Sequence, residues 1–113
     1  MHRSKLRRVK VTRMEEKVLK CKASTDANKL AGSIYLAYQE TPEAKIIIRV
    51  IGAGSVNQAV KATIIANKYF ARKGISLALK PSFQDGEDNM TIIEMRVLLM
   101  KEEKILQQVV VGN

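Results

Sequence analysis

The sequence predicts an α/β fold of the two-layer α+β kind, ordered β-α-β-α-β-β, with a four-stranded mixed sheet and two helices on one face. Three observations predict it. Residues 46–72 set a β-branched apolar run, a two-glycine break and a long helix-forming stretch in immediate succession. An alternating segment followed by a helical apolar stripe gives the same strand–helix order earlier in the chain. Two further apolar runs then flank a stretch with Asp-Gly as its sharpest turn signal, which reads as a hairpin.

Each element has its own reason. In residues 17–23, Val18, Lys20 and Lys22 point one way and Leu19, Cys21 and Ala23 the other, a half-buried strand. Ser24, Thr25 and Asp26 supply helix-cap candidates. Ala27, Leu30, Ala31, Ile34, Ala37 and Tyr38 form one apolar helical stripe. That helix ends around Gln39, ahead of Thr41-Pro42, because a residue before proline avoids helical angles. Ile46, Ile47, Ile48, Val50 and Ile51 read as a strand covered on both faces. Gly52 and Gly54 break it. Ser55 reads as an N-cap, with Gln58 as the partner in a capping box. The second helix runs to about Ala71, and Lys73-Gly74 closes it. Residues 75–83 read as a strand whose later half Pro81 demotes to an edge or a bulge. Residues 84–89 are a turn and 91–100 the last strand, with Ile93, Met95, Val97 and Leu99 on one face. Residues 101–113 fit either a short helix or a further strand.

At 113 residues the chain makes one domain. We expect a basic tail or N-terminal extension over 1–13, the domain over 14–101 and a C-terminal extension over 102–113. No apolar run approaches the ~20 residues that span a bilayer, and no apolar run follows the basic N-terminus as in a signal peptide. Cys21 is the only cysteine. An internal disulfide is therefore impossible, a cytoplasmic setting is expected, and Cys21 reads as a small core residue. The net charge of +9 is unevenly spread. Arg3, Lys5, Arg7, Arg8, Lys10 and Arg13 stand in the tail with no acid beside them, while the rest holds 14 basic and 11 acidic residues. The tail fits a phosphate-neutralising arm, a solvated tail without a target, or an extension upstream of a natural start at Met14.

The break at Gly52-Ala53-Gly54 places free N–H groups of a helix start beside a flexible turn, which suits a phosphate. A plain sharp turn uses the same residues. The third glycine of a dinucleotide fingerprint is missing, and no Gly-Lys-Ser/Thr follows as in a Walker loop. Lys22, Ser24, Asn28 and Lys29 stand at the first strand–helix junction. Gly52, Gly54, Ser55, Asn57, Gln58 and Lys61 stand at the second. In this element order both junctions emerge at the carboxyl ends of their strands and can line one edge. Short polar side chains, lysines and backbone N–H groups there suit phosphate and sugar contact. Helix capping by Asn28, Asn57 and Gln58 explains the same residue types.

The block Gly52-Ala53-Gly54-Ser55-Val56-Asn57-Gln58-Ala59-Val60-Lys61-Ala62 resembles the signature of the stage V sporulation protein S family. The resemblance takes in residues 18–24, 28–32, 74–77 and 81–83, and covers roughly 14–100. It implies an Alba-like fold, that of a small dimeric chromatin and RNA-binding protein, and a role in sporulation or related developmental control. Family members usually begin near Met14.

Little suggests an enzyme. The one histidine, His2, lies in the tail, so the usual general base is missing, and no ligand set has metal-site spacing. Asp85, Glu87 and Asp88 occupy a turn far shorter than a calcium loop, where Asp and Gly are ordinary residues. No cofactor, metal, membrane or small-molecule substrate is expected. The five aromatic residues Tyr35, Tyr38, Tyr69, Phe70 and Phe83 are too few for a base-stacking platform. The expectation is a cytoplasmic nucleic-acid-binding protein that contacts DNA or RNA mainly through the phosphate backbone, with nucleoid association as one option. The alternative is a protein-interaction or scaffold module. Surplus apolar residues on the second helix, Val56, Val60 and Ile64 among them, predict a homodimer.

Overall fold

The computed structural model describes residues 15–84 and 92–101. Its order is β1 (Glu16–Cys21), α1 (Ala27–Glu40), β2 (Lys45–Ile51), α2 (Ala53–Ala71), β3 (Ile75–Phe83) and β4 (Ile92–Lys101). The strands form one four-stranded mixed sheet in the order β1-β2-β4-β3. β1 and β2 are parallel, from Glu16↔Lys45 to Cys21↔Val50, and a parallel pair requires a crossover such as α1. β4 is antiparallel to both β2 and β3. The β-α-β-α-β-β order and mixed sheet are those expected. The tail at 1–13, the turn at 85–89 and the extension at 102–113 lie outside the described residues.

One face of the sheet carries the core. Ile46, Ile48 and Val50 of β2 are buried, with Cys21, Met95 and Val97 beside them. Leu30, Ala31, Ile34 and Ala37 of α1 are buried, the stripe expected from the 3.6-residue period. From α2 come Ala59, Ala62, Ala66 and Phe70. The run of alanines lets backbones approach closely, and the remaining space is filled by aromatics. Phe70 is fully buried, in edge-on contact with Tyr35 and Tyr38 at 5.1 Å each.

Two local expectations change. β2 is not covered on both faces: its burial alternates, and Ile51 is 47% exposed. β-branched side chains favour extended backbone whether or not the outer face is covered. Ser55 is not the N-cap of α2. The helix starts at Ala53, with Gly52 as its cap residue at φ 89° and no side-chain cap. Only glycine takes that angle without strain, so the turn tightens and Ser55 falls inside the first turn. The expectation for Pro81 holds in its edge form, without a bulge. β3 is the sheet's edge, where a missing donor is tolerated, and its pairing continues unbroken to Phe83↔Ile93.

Candidate nucleic-acid interface

Two junctions, β1–α1 and β2–α2, lie side by side at the carboxyl ends of the parallel strands. Direct contacts stitch them together. Gln58 Nε2 donates to the Thr25 carbonyl at 2.7 Å. Cys21 Sγ donates to the Ser55 carbonyl at 3.4 Å. Gly54 lies so close to the first junction that an added Cβ would stand 3.1 Å from Ala23 Cβ. The first junction is also held internally, because Lys22 N donates to Thr25 Oγ1 at 2.7 Å and Thr25 N to the Lys22 carbonyl at 3.1 Å.

The helix starts differ. Asp26 caps α1, its carboxylate accepting from Asn28 N at 2.8 Å and Lys29 N at 3.3 Å. A fixed negative charge therefore already occupies that helix start. No side chain caps α2, and no acid lies in its first turn. The Ser55 N–H donates to the Gly52 carbonyl at 3.2 Å; no side chain takes the other first-turn N–H groups, an arrangement that can receive an anion.

Lys22, Ser24, Asn28, Lys29, Gly52, Gly54, Asn57 and Lys61 are all exposed. The Asn28 side chain does not cap α1, since Asp26 does. Gln58 is half-buried and bridges the junctions instead of closing a capping box. Ser55 is fully buried, and its hydroxyl donates to the Ile51 carbonyl at 2.6 Å and also contacts the Gly52 carbonyl. It holds the turn and is out of a ligand's reach, as its inward position on α2 dictates. Burial pushes the Cys21 thiol above its ordinary pKa, against a smaller lowering from Thr25. Such a thiol is a packing residue and not a nucleophile. Among the described residues no cluster of three or more His, Cys, Asp or Glu is placed to hold a metal. Ala23 and Thr25, which join the two junctions, were missed in sequence: their pairing spans 31 to 33 residues of chain and leaves no local pattern.

Residues 17–100 match the family model described as Stage V sporulation protein S (SpoVS). The chain belongs to that family. The match takes in both junctions and nearly all of the six elements. Membership in the stage V sporulation protein S family supports a sporulation-related role. No helix among the described residues is long and apolar enough to cross a membrane.

Proposed function

We propose that this stage V sporulation protein S family member binds DNA or RNA through the phosphate backbone, as a homodimer in the cytoplasm, without catalysis. One observation supports the reading: two stitched junctions carry exposed Lys22 and Lys29 and a helix start that no side chain caps, with Lys61 exposed further along the same helix. Lysine is a point charge suited to phosphate, and open backbone N–H groups add uncharged donors. Neither group reads base identity, so binding is weakly sequence-specific.

Lys29→Ala and Lys61→Ala test this, by fluorescence anisotropy on a labelled duplex DNA and a single-stranded RNA at two salt concentrations. Each change weakens binding to all sequences about equally and lowers the salt slope by about one. Both side chains are exposed, so melting temperatures stay unchanged. Wild-type affinity and slope in both variants would leave the junctions as structural turns and favour a protein-interaction module.

A further inference from the structure

The face of the sheet opposite the helices carries a row of cations. The strand register puts Lys20 opposite Arg49, and Arg49 opposite Glu94. One pair further along, Arg96 lies between Ile47 and Lys80. Four cations and one carboxylate thus occupy two adjacent rows. Glu94 holds Arg49 through Nη2 at 3.0 Å and Nε at 3.3 Å. Lys20, Lys80 and Arg96 are exposed, and among the described residues none has an acid within ion-pair distance.

This arrangement works against the isolated fold. Like charges directly opposite one another destabilise a sheet, and it happens twice, at Lys20/Arg49 and at Arg96/Lys80. A polyanion lying across the strands reverses the sign of both. The row crosses all four strands, about 14 Å at ~4.8 Å per strand step. A duplex presents a phosphate charge every ~1.7 Å of its axis, so all the cations can be neutralised together. A single phosphate could reach only part of the row. The one aromatic residue of the described strands, Phe83, pairs with Ile93 and shares the helix-covered face. The cation face therefore offers charge without a stacking platform, the pattern of backbone contact.

We infer that the helix-free face of the sheet is a second phosphate-backbone contact surface, formed by Lys20, Lys80 and Arg96, with Glu94 competing for Arg49. The inference rests on the nucleic-acid reading above and extends it from the junction edge onto the adjoining face.

The test uses the full chain and the same two probes, duplex DNA and single-stranded RNA. The double variant Lys80→Gln/Arg96→Gln lowers the salt slope by about two, at roughly 0.9 per lost phosphate contact. Its melting temperature is equal or higher, because an opposed cation pair has gone. Glu94→Gln frees Arg49, so affinity rises several-fold and the slope steepens by about one. A purely structural cation row would move melting and leave the slope alone. A wild-type slope in the double variant, with Lys29→Ala and Lys61→Ala still weakened, overturns this inference alone. Absence of binding to either probe by the unaltered chain overturns both readings.

Discussion

Gly54 shows how much one missing methyl group can decide. It lies in the first turn of α2 with ordinary helical angles, so its reason is space and not conformation. An added Cβ would meet Ala23 Cβ at 3.1 Å. Gly54→Ala sets a helix-propensity gain of up to ~1 kcal/mol against a few tenths of an ångström of displacement, and the two nearly cancel. Gly54→Val adds two further methyl groups beside the same Ala23 contact. We expect a loss of about 1–3 kcal/mol, read by thermal melting, together with weaker nucleic-acid binding as the junctions are pushed apart. Wild-type melting in the Gly54→Val variant would mean that the loop carrying Ala23 moves freely. Gly52 is the opposite case. Nothing lies within 4 Å of its added Cβ, and its φ of 89° alone forbids substitution without strain. Sequence showed that both glycines interrupt a strand. It could not assign one to angle and the other to contact, because the contact comes from Ala23.

At the level of elements, the helices, strands and their order were legible because each carries its own period. The alternation of β1 and the stripe of α1 are local facts, and local facts survive folding. The cap of α1 was legible as a choice among three residues. The structure selects Asp26, whose carboxylate reaches two N–H groups. Asp26→Ala is expected to lower stability by about 1 kcal/mol. It also removes the fixed negative charge at the start of α1, so affinity for nucleic acid rises while the melting temperature falls. Parallel loss of both would assign Asp26 to the fold alone. The covering of β2 was not legible. Ile47 and Ile51 look like core residues in the sequence, yet they share the helix-free face with Arg49. Whether an outer face is covered depends on where the helices land, which no residue of β2 encodes. The charged row on that face was hidden for the same reason, since Lys20, Lys80 and Arg96 come from three separate strands.

For the whole molecule, the proposed homodimer needs an exposed apolar surface. Val60 is 39% and Ile64 60% exposed on α2. They lie toward β3, on the side where Asn67 Oδ1 accepts from Leu77 N at 2.8 Å. Pro81, Ser82, Phe83 and Ile93 line an apolar depression where the end of β3 pairs with β4. A second copy of the chain covers this surface in our reading. Multi-angle light scattering at micromolar concentration should then give twice 12.6 kDa, and Ile64→Lys should give the single mass with the fold intact. A single mass for the unaltered chain would refute the pairing. The sheet order has a consequence of its own. Among the described strands β3 pairs with β4 alone, and β4 lies between β2 and β3. The last of the described strands to leave the ribosome is therefore the one that joins the two halves of the sheet. Until Ile92–Lys101 clears the exit tunnel, β2 and β3 each keep an open edge, the condition in which wrong strands pair. A premature stop ahead of Ile92 would not trim this sheet; it would split it.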